Sequence, residues 1–296
     1  MNIGEKIREL RVAKLMTQAE LAGSQITRNM LSCIENGTAN PSLSTILYIA
    51  GRLSVPAGFL LAEEGDEIVY RKMNSFANIK RAYIVGDYRG CRSLCFSGCP
   101  EPDDEIRLLL AECDAAIAEE EFAHGKLRSS CRFFDEALEY AEKTIYPTAA
   151  IEARAAVYFR YMRRISATLY SDVLDEEKPI ALVSTTPMAA YVDAMEALDA
   201  GDIETVREKA ALLSGVDDDF YARHLEIGLW MQEKRFADAK EALTALLNRA
   251  HPLCEVALYE VLCDLETCCR ETDDYKGAYN YATEKVQLLE QLLKEI

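Results

Sequence analysis

The chain has 296 residues, half of them hydrophobic and 28% charged, with a formal net charge of −17 at pH 7. This composition is typical of a soluble globular protein with one large domain or two ordinary ones. The longest apolar stretch, residues 43–62, is interrupted by Arg52, Pro56 and Gly58, which argues against a membrane span. No export signal is recognisable at the N-terminus, so we expect a cytoplasmic protein that does not associate with membranes.

The charge is unevenly distributed along the chain. Residues 1–62 contain six Lys and Arg against four Glu, a net charge of +2, which leaves −19 for the remaining residues. A nucleic acid would therefore approach the N-terminal segment and be repelled by the rest of the chain. Because +2 is a weak charge for phosphate binding, we expect two such segments to act together in a homodimer.

Ten cysteines in a chain without an export signal argue against a disulfide framework. Cys91, Cys95 and Cys99 are four residues apart and would share one face of a helix. A metal or cluster site is the alternative, but a fourth ligand is not evident and the spacing matches no common zinc pattern. We expect these three, with Cys268 and Cys269, to be buried as small hydrophobic side chains, and we predict no metal and no cofactor.

Two helices are predicted at the start of the chain. Apolar residues recur at helical spacing over residues 3–10 and indicate an amphipathic first helix. A second helix is predicted after Thr17, because Thr17 and Glu20 have the spacing of a capping box. Met16 and Leu21 stand at the positions of a hydrophobic staple across this helix start.

A third helix is predicted between Thr27, which can cap its start, and Gly37, which can end it in the left-handed conformation. We expect its apolar side, which packs on the first two helices, to comprise Met30, Leu31 and Ile34. We expect its outward polar side to comprise Asn29, Ser32 and Asn36, with Arg28 and Cys33 at the margins. A fourth helix is predicted with Pro41 in its first turn. Its core residues are expected to be Leu43, Ile46, Leu47, Ala50 and Leu53, and a short fifth helix follows it.

Three motifs in this segment occur in a characteristic order: Thr17-Gln-Ala-Glu-Leu-Ala, Ser32-Cys-Ile-Glu-Asn-Gly and Asn40-Pro-Ser-Leu. Together they resemble the helix-turn-helix of the Cro/CI/xenobiotic-response-element (XRE) regulators over about residues 3–62. In that family one helix of the pair crosses the DNA backbone and the next enters the major groove. The resemblance implies a five-helix λ-repressor-like domain that binds a double-stranded DNA operator. It also implies an internal pair between Arg11 and Glu35.

The resemblance further implies which side chains contact DNA. Contacts with base edges fall to Arg28, Asn29, Ser32 and Cys33. Contacts with phosphates fall to Thr17, Gln18, Thr27, Asn36, Thr38 and Asn40. Arg can pair with guanine and Asn with adenine through two hydrogen bonds, whereas Ser is permissive. The alternative is a helix pair that is kept only for packing and has lost its affinity for DNA.

A different pattern recurs beyond residue 64, at intervals in the thirties. An apolar residue follows a turn-forming pair at Tyr88, Leu127, Ile203, Phe236 and Tyr275. A mostly small residue stands three positions later, where it would let two antiparallel helices approach closely. The interval from 127 to 203 contains one further unit, which we expect to use a helix over 149–170 and an irregular segment over 172–187.

This pattern resembles tetratricopeptide (TPR) repeats, most closely over residues 220–248 and 257–289. We therefore predict an all-α protein with a helix-turn-helix domain over residues 1–64 and a TPR-like α-solenoid over residues 65–296. Such a combination resembles bacterial regulators that respond to imported peptide pheromones. It implies a small peptide in the concave groove, with candidate contacts from Arg81, Arg107, Arg154, Tyr158, Tyr161 and Arg164. A groove that serves only dimerisation is the alternative.

The functional prediction is a dimeric, sequence-specific DNA-binding transcriptional regulator. An enzyme is disfavoured, because the chain has three isolated histidines and lacks a Gly-rich phosphate loop, a metal-binding His pair and a nucleophile elbow. The runner-up is a TPR interaction scaffold whose helix-turn-helix no longer binds DNA.

Overall fold

The computed structural model describes residues 2–62, 67–174, 186–213, 220–248 and 253–294, without the side chains of residues 67–69. Within these ranges the chain forms sixteen helices and no strand, which confirms the predicted all-α class. None of the described helices is both long and apolar enough to span a bilayer. Two compact units are present, Met1–Ile106 and Arg107–Ile296. The domain boundary expected at residue 64 lies outside the described residues and stays a prediction.

The first unit contains the helix-turn-helix segment and two further helices. Its helices are α1 (Ile3–Ala13), α2 (Gln18–Ala22), α3 (Arg28–Glu35), α4 (Leu43–Leu53), α5 (Ala57–Leu61), α6 (Glu67–Ile84) and α7 (Tyr88–Gly98). Helices α1 to α5 enclose one hydrophobic core whose fully buried members include Ile7, Leu21, Leu31, Ile49 and Leu53. This is the five-helix domain that the sequence motifs predict.

Side-chain caps fix where these helices begin. The Thr17 hydroxyl accepts a hydrogen bond from the Glu20 backbone N–H at 3.2 Å, and the Glu20 carboxylate accepts one from the Thr17 N–H at 2.7 Å. The predicted capping box of α2 is therefore confirmed. Met16 packs against the core that contains the fully buried Leu21, as the staple requires. The Thr27 hydroxyl likewise accepts from the Met30 N–H at 3.1 Å and caps α3.

Parts of the predicted core pattern are wrong. Pro41 precedes α4 rather than entering its first turn, because the Ser42 hydroxyl caps the helix by accepting from the Thr45 N–H at 3.2 Å. Leu43 and Leu47 are exposed, and α4 instead buries Ile46, Ile49, Ala50 and Leu53. Both stripes fit a helical repeat, and only packing against α1 and α2 selects between them. Met30 is also exposed, since it lies in the first turn of α3 at the margin of the core.

The second unit contains most of α8 and eight further helices. They are α8 (Asp104–Ala123), α9 (Leu127–Glu142), α10 (Ala149–Ile165), α11 (Pro187–Ala200), α12 (Ile203–Leu213), α13 (Phe220–Gln232), α14 (Phe236–Leu247), α15 (Glu255–Glu271) and α16 (Tyr275–Leu292). Helices α8 and α9 are joined by a tight turn at Gly125, and helical hairpins pair α11 with α12, α13 with α14, and α15 with α16. Helix α10 belongs to the further repeat that the sequence predicts between residues 127 and 203. It ends at Ile165, and the irregular segment expected after it lies partly outside the described residues.

The repeat register predicted from the sequence is confirmed. Each of the five apolar anchor residues is the first residue of the second helix in its hairpin, namely α7, α9, α12, α14 and α16. The residue two positions before each anchor has a positive φ: Gly86, Gly125, Gly201, Lys234 and Asp273. The residue three positions after each anchor is buried: Cys91, Ser130, Val206, Ala239 and Ala278. One turn geometry therefore joins all five hairpins, and a small or β-branched residue marks where the helices approach.

The predicted burial of the cysteines is also confirmed. Cys91, Cys95, Cys99, Cys268 and Cys269 are all buried and all carry free thiols. Cys91 and Cys95 occupy the close-approach positions of the α6–α7 hairpin, where a larger side chain would separate the helices.

The ends of the second unit meet. Arg128, near the start of α9, donates a hydrogen bond from Nε to the Leu293 carbonyl at 2.8 Å. A side chain placed at Gly125 would collide with Glu255 and Leu292, which shows how closely the last hairpin approaches the α8–α9 turn. The helices of this unit therefore curl back on themselves and enclose aromatic and ionisable side chains between them.

Candidate nucleic-acid interface

The polar face of α3 is defined by the two residues that anchor the helix. Leu31 and Ile34 are fully buried, and their position fixes the rotation of α3 about its axis. The four predicted base-contact residues consequently share one side of the helix, where Ser32 is half-buried and the other three are exposed: Arg28, Asn29, Ser32 and Cys33. Within the described part of the chain the Arg28 guanidinium forms no ion pair, so its donors face solvent.

The predicted phosphate contacts lie around the two helix starts and behind the end of α3. The hydroxyls of Thr17 and Thr27 act as acceptors in their caps, so each retains an O–H that can be donated to a phosphate oxygen. Asn36, Thr38 and Asn40 are exposed beyond the C-terminus of α3. The Thr38 hydroxyl, however, donates to the Cys33 carbonyl at 3.0 Å and helps to end the helix.

Gln18 has a role that the sequence did not predict. Its side-chain amide donates to Oε2 of Glu35 at 2.8 Å, which leaves one amide N–H available outside this contact. Gln18 therefore links the start of α2 to the end of α3. A phosphate contact from the same amide would add to this internal bond and would be held in place by it.

The predicted pair between Arg11 and Glu35 is present and bidentate. Arg11 donates from Nε to Oε1 at 2.6 Å and from Nη2 to Oε2 at 3.0 Å, and its Nη1 donates to the Met16 carbonyl at 2.9 Å. Glu35 is almost fully buried, with 4% of its surface exposed. Burial would raise the pKa of Glu35, but the hydrogen bonds from Arg11 and Gln18 outweigh it and hold the pKa below its usual value.

This network connects the three helices behind the candidate interface, through Arg11 in the last turn of α1, Gln18 at the start of α2 and Glu35 at the end of α3. A buried charge of this kind is stable only while its partners remain in place. The angle between α2 and α3 is therefore fixed by one carboxylate behind the exposed face.

A second support comes from α4. The Tyr48 hydroxyl donates to the Ala22 carbonyl at 2.9 Å, and the Arg52 guanidinium donates to the Glu20 carbonyl. Both carbonyls lie at the C-terminal end of α2, where they lack partners within the helix. Arg52 is thus used inside the domain, and Lys6, which is buried, donates to the Ala62 carbonyl at 2.5 Å. Sequence alone gave no signal for these roles.

The candidate groove residues are not all in one unit. Arg81 is exposed in the last turn of α6, in the first unit, whereas the other five lie in the second. Arg107 donates to the Lys143 carbonyl at 3.1 Å. Arg154 bridges two carboxylates of α8, at 2.9 Å from Glu112 and 2.9 Å from Glu119. Arg154 thus joins α8 to α10.

The remaining candidates on α10 contact α11 and the aromatic interior. Arg164 forms an ion pair with Asp199. Tyr158 lies between Phe122 and Phe134, with ring centroids 4.9 Å and 5.2 Å away. Tyr161 is buried, and its burial raises its pKa well above the usual value. The tyrosines therefore belong to a packed interior, and Tyr161 does not line an open surface in this structure.

A buried polar cluster adjoins these tyrosines. The Tyr191 hydroxyl and Nδ1 of His224 are 2.8 Å apart. Nε2 of His224 lies 3.0 Å from Oδ2 of Asp264, at ion-pair distance but without the direction of a hydrogen bond. Glu260 is 8% exposed, and burial raises the pKa of its carboxyl. The residues come from α11, α13 and α15, which are far apart in the sequence. The sequence pattern therefore did not predict that they lie close together. No three metal-ligating side chains converge in the described part of the chain.

Comparison with known proteins agrees with the geometry of the first five helices. The helix-turn-helix family matches residues 7–60. The immunity repressor protein of Bacillus phage phi105 is 29% identical over 116 residues, which cover 37% of this chain and 81% of the repressor.

Two solved structures match along almost the whole chain at low similarity. Bacillus thuringiensis PlcR, in a complex with the peptide PapR7 and DNA, is 16% identical with a TM-score of 0.23, and 99% of each chain is covered. ComR from S. thermophilus, in a complex with DNA and its signalling peptide ComS, is 15% identical with a TM-score of 0.22, and the match covers 97% of this chain and 99% of ComR. TM-scores of this size do not establish a common arrangement of the whole chains. The capped helix pair, its buried core and the family match together show that residues 7–60 form a helix-turn-helix domain similar to those of the Cro/CI/XRE type.

Proposed function

We propose that this protein is a sequence-specific DNA-binding transcriptional regulator of the cytoplasm, with a DNA-binding domain that ends near residue 64. The observation that carries the proposal is the exposed face of α3, whose Arg28 and Asn29 lie side by side above a buried Glu35 network. Arg28 would pair with a guanine and Asn29 with an adenine, while Ser32 and Cys33 contact neighbouring base edges. The capping hydroxyls and the segment after α3 would bind phosphates.

The regulator would act as a homodimer on a palindromic operator. Each N-terminal segment has a net charge of only +2, and several of its cations are bonded within the domain. Two domains placed one helical turn of DNA apart double the number of base and phosphate contacts. The reading face is small, so this doubling supplies the affinity that one domain lacks.

Substitutions at the reading face test the base contacts. Arg28→Lys keeps the positive charge but loses the two-donor geometry that guanine requires. We expect this variant to retain its affinity for random DNA at low salt and to lose about 1–3 kcal/mol of discrimination at one base position. The measurement is selection of bound fragments from genomic DNA, followed by titration of the selected operator and of a scrambled duplex.

The double variant Arg28→Ala with Asn29→Ala should abolish operator selectivity while the melting temperature is unchanged. Unchanged selectivity in that variant would contradict the assignment of the reading face. If the wild-type protein binds no DNA even at low salt, the helix-turn-helix serves protein interaction instead, and the second unit is a scaffold.

We further propose that the second unit binds a small peptide between its helices. Three arginines of α10 lie beside an excess of carboxylates: Arg154 with Glu112 and Glu119, Arg160 with Asp193 and Glu196, and Arg164 with Asp199. This excess of negative charge favours a peptide that carries positive charge. The test is a thermal-shift assay with cationic peptides and with sequence-matched anionic ones, in which equal shifts or no shift would contradict the proposal.

A further inference from the structure

Helix α16 carries an exposed apolar stripe. Tyr275, Tyr279 and Val286 are 69%, 73% and 52% exposed, although α16 buries an adjacent side through Ala278, Leu288 and Leu292. Single exposed apolar side chains are ordinary, but these three share one side of a helix of about 27 Å. The half-buried Ala282 and Leu289 complete the stripe between and beyond them.

The stripe has the spacing of a coiled-coil seam. Its members alternate by four and three residues: Tyr275, Tyr279, Ala282, Val286, Leu289 and Leu293. This spacing is the a/d pattern of helices that pack side by side. Nothing in the described part of the chain covers the exposed members, whereas the outer face of a terminal repeat is ordinarily polar. The stripe is therefore suited to a helix from another molecule.

The charges beside the stripe favour a second copy in the antiparallel direction. In an antiparallel pair Tyr279 lies opposite Leu289 of the second copy, and Ala282 lies opposite Val286. That register places Lys276 beside Glu290 of the second copy, along the exposed edge of the stripe that Lys276 and Glu290 form. The two-fold symmetry creates this contact twice. Lys276 and Glu290 are exposed, and neither forms an ion pair within the described residues.

A parallel pair satisfies these charges less well. It would leave Lys276 without an opposite charge and would place Lys285 near Glu290 of the second copy. Lys285 already forms an ion pair with Glu266, whose side chain is 16% exposed. In the antiparallel pair the two Lys285 side chains lie on the other edge of the stripe, next to α15. There each Lys285 is neutralised by its ion pair with Glu266 of the same chain.

We propose that two copies of this chain associate through an antiparallel α16–α16 contact centred at residue 284, beside Thr283. The biological role of the contact rests on the proposed function, because it would bring two DNA-binding domains into one particle. The contact itself is tested without DNA, so its failure and the failure of DNA binding are separate results.

Sedimentation velocity of the full chain, over a concentration series from about 1 to 100 μM, measures the association. We expect a dimer for the wild type and an increase of about tenfold or more in the dimer Kd for Tyr279→Glu with Val286→Glu, because charges would enter an apolar seam. The matched control is Leu212→Glu on α12, which changes an equally exposed side chain away from the stripe. A monomeric wild type, or a dimer that survives the double substitution, would overturn the proposal.

Charge reversal tests the partner assignment on proteins that keep the apolar stripe. Lys276→Glu and Glu290→Lys should each weaken the dimer, because like charges then face each other. The two changes together should restore the wild-type Kd, a rescue that a structural role for either residue does not predict. Failure of the double variant to recover would exclude the antiparallel register.

Crosslinking with a short bismaleimide tests the direction of the helices. The background carries Cys33→Ser and Cys254→Ser, since these are the two exposed cysteines. In the antiparallel pair Thr283→Cys faces its own copy and should crosslink. Lys276→Cys lies about 24 Å along the axis from the same residue of the second copy and should not crosslink. Equal crosslinking at both positions would show a parallel pair and overturn the proposal.

Discussion

Glu35 illustrates how one buried residue sets the geometry of a surface. Its carboxylate accepts hydrogen bonds from Arg11 on α1 and Gln18 on α2, and it lies in the last turn of α3. The side chains that would contact DNA lie on the same helix, and Arg28, Asn29 and Cys33 among them are exposed. A change at Glu35 therefore alters the presentation of α3 without touching the reading face.

Glu35→Gln should destabilise the first unit by about 3 kcal/mol, because it leaves the Arg11 guanidinium without its charged partner in a largely buried site. The matched control is Glu9→Gln, an exposed carboxylate on α1. Thermal unfolding of the full chain at neutral pH, followed by circular dichroism, measures the difference. Equal melting curves for the two variants would show that the network is dispensable.

The same substitution has a pH signature. The folded pKa of Glu35 is lowered, so its stabilising contribution is present above the unfolded pKa of about 4.5 and is lost as the pH falls through the folded value. We expect the difference between the wild type and Glu35→Gln to shrink steadily as the pH falls from 5 to 3. A difference that stays constant over this range would assign the effect to packing rather than to charge.

At the scale of the helices, the repeat register was predictable because each hairpin repeats one turn. The left-handed residue, the apolar anchor and the small residue are close in sequence, so local spacing reveals them. The neighbours of each helix are not local. The register therefore indicated Cys91 and Ala239 as close-approach positions, but it gave no information that Arg154 would bond to α8 or that His224 would meet Tyr191.

The same limit applies to the helix-turn-helix domain. Capping residues and the apolar pattern predicted the starts of α2 and α3 and the outward face of α3, and the family resemblance implied the pair of Arg11 with Glu35. The choice between two apolar stripes on α4 depends on which side meets α1 and α2, and it was predicted wrongly for Leu43 and Leu47. The contacts of Tyr48 and Arg52 with the end of α2 were not predicted for the same reason.

One of the repeat turns contains a residue whose replacement should increase the stability of the second unit. Lys234 has a φ of 61°, where the equivalent positions in three other hairpins carry glycine. A left-handed conformation costs a residue with a Cβ about 1 kcal/mol or more, and glycine loses part of that gain through its flexible unfolded state. Lys234→Gly should therefore stabilise the second unit by up to about 1 kcal/mol.

The control for this prediction is Glu233→Gly, one residue earlier, where φ is not positive. That change should be neutral or destabilising, because it only adds flexibility at the helix end. Urea unfolding followed by the fluorescence of Trp230, the one tryptophan in the chain, reports on α13 directly. A lower urea midpoint for Lys234→Gly than for the wild type would contradict the argument from backbone conformation.

At the scale of the whole molecule, the charge distribution limits how the protein can bind DNA. The part that would carry the DNA contacts has a net charge of +2, and the remainder of the chain carries −19. Of the six cations in residues 1–62, Lys6, Arg11 and Arg52 are bonded inside the domain. The exposed cations without an ion pair in the described residues are Arg8, Lys14 and Arg28.

This limit predicts the salt dependence of operator binding. Three available cations in each of two domains neutralise at most six phosphates, and each neutralised phosphate contributes about −0.9 to the slope of log K against log salt concentration. We therefore expect a slope of about −5 for a dimer on its operator, measured by fluorescence anisotropy between about 50 and 300 mM salt. Lys14→Ala should make the slope less steep by up to about 2, because one cation is lost from each domain. Arg52→Ala should lower the melting temperature and leave the slope unchanged, since that guanidinium holds the end of α2. A wild-type slope near −10 would show that additional cations reach the DNA, and it would contradict the assignment of binding to this one weakly basic surface.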